Sequence, residues 1–176
     1  MTVTIDGSAS VTINSGAVLG LNSATAVAST SGTSIDFTGI PSWVKRITVM
    51  LNGVSTTSTS NFMIQLGDAG GIETSGYTGN VTRIGSSTTP VVNNSSGVVI
   101  NETVTSALTF IANVIFSKID GNTYVAFGTS VEAVGGNTSC VITAAKTLSD
   151  TLTQVRITTV GGTNTFDAGT INILYE

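Results

Sequence analysis

The sequence contains no histidine and a single cysteine, Cys140, among its 176 residues. Without histidine, Ser–His and Cys–His nucleophile pairs and histidine-containing zinc sites cannot form. One thiol cannot build a thiolate cluster, and its apolar neighbours in the run CVITAA predict a buried, inert side chain. These absences exclude most nucleophilic and zinc-dependent enzymes.

Charged residues are also scarce, at 9% of the chain, and the net charge at pH 7 is −4. The six basic residues, spread from Lys45 to Arg156, are too few and too dispersed to follow a phosphate backbone, so we expect no nucleic-acid partner. No run of 18 apolar residues exists, which predicts no membrane insertion. The N-terminal MTVTIDGSAS has neither a positive n-region nor an apolar h-region, so we expect synthesis in a cytoplasm without a signal peptide.

Carboxylates are the remaining candidates for catalysis, and most of the ten lie in or beside turn-forming segments. A glycosidase needs two of them facing each other across a sugar, whereas acidic residues in turns cap and hydrogen-bond locally. Asp68 and Glu73, in GDAGGIE, could share a calcium ion with loop carbonyls, although their spacing is not that of an EF-hand. The sequence predicts no enzyme, no catalytic residue, and no cofactor or metal, with calcium at this loop left open.

The residues that are abundant favour β-structure. The chain holds 31 threonines, 21 serines and 20 glycines, and threonine favours strands while glycine and serine favour turns. Strand-like segments recur at regular spacing from residue 34 onward: SIDFT, WVKRITVML, NFMIQL, GVVIN, ALTFIANVIFSKI, TYVAF, SCVITAA, TQVRITTV and TINILYE. We therefore predict an all-β protein, an antiparallel β-sandwich that is jelly-roll-like.

Alternation within these segments predicts the faces of the strands. The side chains expected on one face are Trp43, Ile47, Val49 and Leu51 in one strand, Phe62, Ile64 and Leu66 in the next, and Ile171, Ile173 and Tyr175 in the last. ALTFIANVIFSKI is apolar on both faces, as expected for a central or interface strand. Asn52-Gly53 and Asp120-Gly121 predict hairpin turns, and Gly135-Gly136 and Gly161-Gly162 predict further turns.

Residues 1–33 differ from the rest, because the stretch from Ser15 to Gly32 is small and polar and should contribute little to a core. We predict an N-terminal arm at residues 1–33, held in place by a neighbouring subunit, followed by a jelly-roll domain at residues 34–176.

Three aromatic residues are candidates for stacking on a sugar: Tyr77, Tyr124 and Trp43. Tyr77 lies in the Gly-rich segment ETSGYTGN, so we expect it to be exposed. Trp43 follows Pro41-Ser42 at the start of a strand and could instead pack against the edge of the core.

Two long segments carry a resemblance to a known family. SIDFTGIPSWVKRITVMLNGVSTTSTSNFMIQLGDAGGIETSGYTG resembles a module of tail-fibre and other virion proteins of tailed bacteriophages, and ITTVGGTNTFDAGTINILYE resembles the ending of that family's polypeptides. The resemblance covers residues 34–176. It implies a β-sandwich, usually trimeric, that is displayed on the virion and often used for host attachment, and it implies no catalytic residue.

Only 33 residues precede this module, in place of the long shaft of a full tail fibre. We therefore expect a tail-fibre-like virion protein whose arm, residues 1–33, binds other virion proteins and whose jelly roll binds a host surface glycan. The alternative is a head decoration or cement protein whose arm staples capsid subunits. The doubly apolar strand ALTFIANVIFSKI predicts a homotrimer in the first case.

Overall fold

The computed structural model describes residues 11–13, 16–18, 20–84, 91–102, 106, 108–134 and 138–176. The regular structure of these residues is all strand, which confirms the predicted all-β fold, and they include no helix that could cross a membrane. The strands are β1 (Val11–Ile13), β2 (Gly16–Val18), β3 (Asn22–Ser23), β4 (Val27–Ala28), β5 (Ser34–Thr38), β6 (Arg46–Thr56), β7 (Phe62–Asp68), β8 (Gly71–Ile72), β9 (Tyr77–Ile84), β10 (Val91–Asn93), β11 (Val98–Val99), β12 (Thr109–Asp120), β13 (Thr123–Val134), β14 (Ser139–Thr147), β15 (Gln154–Thr159) and β16 (Phe166–Tyr175).

The strands form a sandwich of two antiparallel sheets. The large sheet has nine strands in the order β10-β9-β14-β13-β12-β6-β16-β3, and β4 also pairs with β16. The small sheet has five, in the order β11-β7-β15-β5 with β8 beside β7, while β1 and β2 pair separately. The three consecutive strands β12, β13 and β14 are neighbours in one sheet, a meander; the two Greek keys of a jelly roll are not confirmed.

The core lies between the two sheets and is joined by aromatic contacts. Phe62 of the small sheet meets Phe110 of the large sheet edge to face, at 5.5 Å between ring centroids. It also stacks on Phe166 at 6.1 Å, and such pairs add about 1 kcal/mol each beyond the area they bury. The predicted inward residues are confirmed as buried at Ile47, Val49, Leu51, Phe62, Ile64, Leu66, Ile171 and Ile173.

The hairpin turn predicted at Asn52-Gly53 is wrong, because β6 continues through both residues. The pairing register shifts there on both sides, against β12 and against β16, which marks a β-bulge. Gly53 has a φ of +63° and Gly169, facing it on β16, has +97°. Asn52-Gly53 suggested a turn because glycine readily adopts positive φ values. Here the same property of Gly53 allows the sheet to bend.

The other predicted turns have different outcomes. The hairpin between β12 and β13 is confirmed, one residue later than predicted: Asp120 pairs with Thr123, so the loop is Gly121 and Asn122. The turn at Gly161-Gly162 is also confirmed, with φ values of +94° and +67°. Gly135-Gly136 lies outside the described residues.

Part of the predicted arm belongs to the large sheet. β3 and β4 pair with the C-terminal strand β16, and Ser29 is fully buried beside it. The Ser29 amide donates to the Gly169 carbonyl at 2.9 Å, and its hydroxyl donates to the Ala168 carbonyl at 2.7 Å. β3 and β4 thus join this sheet through backbone pairing, while the side chains of residues 20–30 other than Ser29 are exposed or half-buried, as expected of a stretch that contributes little to the core. Residues 1–10, 14, 15 and 19 of the predicted arm lie outside the described residues.

Candidate functional site

The structure does not bring the three candidate sugar-stacking aromatics together on the surface. Tyr77 is only 3% exposed and Tyr124 only 2%, so the expected exposure of Tyr77 is wrong and neither ring face is open to a sugar. Trp43 is half-buried against Tyr175, with ring centroids 6.0 Å apart. This position agrees with the alternative that Trp43 packs against the edge of the core.

The Tyr77 side chain pairs with the backbone of β7 in the gap between β11 and β8, where no described strand lies beside it. β11 pairs with β7 at Met63 and Ile64, and β8 pairs with it from Gly67 onward. Between them, the Leu66 amide donates to the Tyr77 hydroxyl oxygen at 2.7 Å. That hydroxyl lies 3.1 Å from the Glu73 carbonyl and 3.2 Å from that of Leu66, and its burial raises the pKa of Tyr77 above the usual value. The hydroxyl therefore satisfies backbone groups that no strand reaches.

The loop of Asp68 and Glu73, the candidate calcium site, is engaged by groups of the protein itself. Asp68 accepts hydrogen bonds from the Gly70 amide and the Ser149 hydroxyl, both at 2.7 Å. Glu73 accepts one from the Ser149 amide at 2.6 Å and forms an ion pair with Lys146. Both carboxylates thus tie the β7–β8 hairpin to the end of β14, and in the described part of the chain no three metal-ligating side chains cluster.

These contacts set the protonation of the two acids. The hydrogen bond from Ser149 is the main cause that lowers the pKa of Asp68. Burial raises the pKa of Glu73, but the hydrogen bonds from Lys146 and Ser149 outweigh it, so this pKa is also lowered. The Lys146 ammonium, itself buried, lies 5.2 Å from the centre of the Tyr77 ring and donates to the Ser75 carbonyl at 2.9 Å. These contacts hold the loop of Asp68 and Glu73 against the residues at the end of β14, which is a structural role.

Cys140 is buried in β14, as predicted. Burial is the main cause that raises the pKa of its thiol. A thiol held protonated in the interior is a poor nucleophile, which fits its expected inertness.

The exposed large apolar side chains concentrate on the outer side of the two longest strands, β12 and β13. Five of the nine found among the described residues lie there: Ile111, Ile119, Val125, Phe127 and Val131. Ile111 lies opposite Val131, and Ile115 lies opposite Phe127, which is 61% exposed. We name the outward residues of the five adjacent strands β6, β12, β13, β14 and β9 the apolar face.

Charge is nearly absent from the apolar face. Apart from the end of β12, the pairing register places threonine, serine, asparagine, alanine, aliphatic residues and Phe127 at the outward positions of β9, β12, β13 and β14. The charged exceptions lie at strand ends: Asp120 is the last residue of β12, and Arg46, the first residue of β6, forms an ion pair with Glu176. The outside of a solvated antiparallel sheet is normally polar, so the apolar centre of this face on β12 and β13 differs from an ordinary solvated face.

Comparison of the chain with protein-family models, with curated proteins and with solved structures found no match. The fold class that the structure defines is the all-β antiparallel sandwich.

Sequence reasoning recognised β12 as apolar on both faces but did not single out Phe127. The available signal was the alternation in TYVAF: Tyr124 and Ala126 are buried, which turns Val125 and Phe127 outward. Pairing that segment with ALTFIANVIFSKI across the predicted hairpin would have placed Phe127 beside Ile115.

Proposed function

We propose that this chain is a non-enzymatic structural subunit of a tailed-bacteriophage virion, tail-fibre-like and assembled as a homotrimer. The chain assembles with other subunits into a larger protein surface, and that surface attaches the virion to a host surface glycan. The resemblance of residues 34–176 to tail-fibre modules supports the virion setting.

The observation that carries the proposal is the distribution of side chains: the buried charged groups already bind other groups of the same chain, whereas large apolar side chains are exposed. Asp68, Glu73 and Lys146 are committed to one another and to neighbouring loops. Large apolar side chains meanwhile stand on the outside of the two longest strands. Exposed apolar patches of this kind mark protein–protein contact sites, so the fold suits an assembly subunit.

Copy number and position on the particle test the proposal. Quantitative mass spectrometry of purified virions should find this chain at tens of copies or fewer, and gold-labelled antibody should mark the tail. Hundreds of copies with label on the head would replace it with the decoration-protein alternative. Complete absence from virions would overturn both.

The oligomeric state is a separate test. Light scattering of the purified chain at micromolar concentration should give three times the 17.8 kDa chain mass. A stable monomer across that range would contradict the trimer.

A further inference from the structure

We infer that the apolar face binds the same face of neighbouring copies of this chain, with Phe127 at the centre of the contact. The inference rests on the proposed function and specifies the surface through which the subunits of the assembly meet. Three properties of the face support it: its position in the sheet, its extent and its lack of charge.

The face is continuous because its residues lie on adjacent, regularly paired strands. Phe127 on β13 lies opposite Ile115 on β12 and opposite Thr143 on β14. Ile115 in turn lies opposite Thr48 on β6. Phe127 is therefore in the middle of an unbroken row across four strands, with Val125 and Val131 before and after it on its own strand.

The extent of the face matches what a specific contact between subunits requires. Five strands at about 4.8 Å spacing give a width of roughly 24 Å, and the stretch from Ile111 to Ile119 is about 26 Å long. The resulting footprint is about 600 Å²; a single partner that covered it would come close to the roughly 800 Å² per partner of a standard interface, and in a trimer two neighbours share it.

The chemistry of the face favours a copy of itself over other partners. At the outward positions of β9, β12, β13 and β14, a charged partner would find only Asp120, at the end of β12. A glycan would need polar side chains converging around an exposed tyrosine or tryptophan, whereas Phe127 at the centre here carries no polar group and lies between Ile115 and Thr143. An uncharged centre, apolar along β12 and β13, places no like charges opposite one another where identical copies meet around a symmetry axis.

Charge placed at the centre tests the inference. Phe127→Asp, in the full chain, should raise the dissociation constant of self-association by at least about 100-fold, because an unpaired carboxylate at the centre of an interface cannot be solvated. Phe127→Leu keeps an apolar side chain and should change it by less than about tenfold. Thr38→Asp adds the same charge at an exposed position of β5 in the small sheet and should leave assembly unchanged.

Sedimentation equilibrium over a range of concentrations reads the association, and circular dichroism with a thermal melt confirms that each variant is folded. Phe127 is largely exposed in the single chain, so Phe127→Asp should retain the wild-type spectrum. A folded Phe127→Asp protein that assembles as well as wild type would overturn the inference while leaving the trimer intact. A wild-type dimer that this variant dissociates would support the inferred surface and contradict the trimer, and a monomeric wild type would overturn both.

Discussion

Replacing Tyr77 with Phe isolates one hydroxyl that substitutes for a missing strand. The substitution leaves the buried ring and removes the oxygen that accepts the Leu66 amide. The Leu66 carbonyl keeps a partner, since the Glu73 amide donates to it at 3.0 Å, so the main loss falls on one buried N–H group. An unsatisfied buried donor costs about 2 kcal/mol, which for a domain of this size lowers Tm by about 4–8 °C.

Chemical denaturation and calorimetry of Tyr77→Phe measure this loss, and Tyr124→Phe is the matched control. Tyr124 is just as buried, but within the described residues its hydroxyl has no hydrogen-bond partner. The control should therefore cost less than half as much. Equal losses in both variants, or a loss below about 0.5 kcal/mol for Tyr77→Phe, would refute the account of the hydroxyl as a substitute for strand pairing.

The same hydroxyl predicts how stability depends on alkaline pH. Because its pKa in the folded protein is raised, the unfolded chain releases the proton first as pH passes about 10. The contribution of Tyr77 is therefore complete below that pH and declines above it. Wild-type stability should fall above pH 10, and Tyr77→Phe should show a shallower decline.

Three other changes test the remaining contacts. Ser149→Ala removes the main hydrogen-bond donor to Asp68. Because the pKa of Asp68 is lowered in the folded protein, its ionised form stabilises the fold, and this contribution is lost as the pH falls through that pKa. The midpoint of acid unfolding, followed by circular dichroism, should therefore move to higher pH in the variant. Gly162→Ala, in open space at φ +67°, should cost about 1–2 kcal/mol. Gly169→Ala should cost more than twice as much in urea melts, because its Cβ would lie 2.6 Å from Gly53. Wild-type protein incubated with host polysaccharide should release no reducing ends, and any release would contradict the non-enzymatic proposal.

The parts of the fold that sequence reasoning predicted are those that local alternation encodes. Phe62, Ile64 and Leu66 are buried because every second residue of a strand faces the same side. Gly161-Gly162 makes its turn because few other residues adopt those φ values. Neither inference requires knowing which strand lies alongside.

The parts that failed depend on distant partners. Asn52-Gly53 has the local chemistry of a hairpin, yet β12 and β16 pair on both sides of it and convert it into a bulge. The Gly-rich segment around Tyr77 suggested exposure. The side chain is buried instead because its hydroxyl binds the backbone of Leu66, eleven residues earlier in the chain, and the local sequence does not show this partner. The small, polar stretch that contains β3 and β4 joins the sheet through backbone pairing with β16, which side-chain hydrophobicity does not report.

The doubly apolar character of β12 has two separate causes in the structure. Its inward residues Phe110, Val114 and Phe116 are fully buried between the sheets, and the core alone accounts for them. Its outward residues Ile111 and Ile119 are exposed, although a central strand flanked by β6 and β13 could carry threonine there as β14 does at Thr143. The fold of the single chain therefore does not require these outward residues to be apolar. Contact with other subunits would give these positions a reason to be apolar, and the apolar face, more than any single polar residue, therefore supports the proposed assembly role.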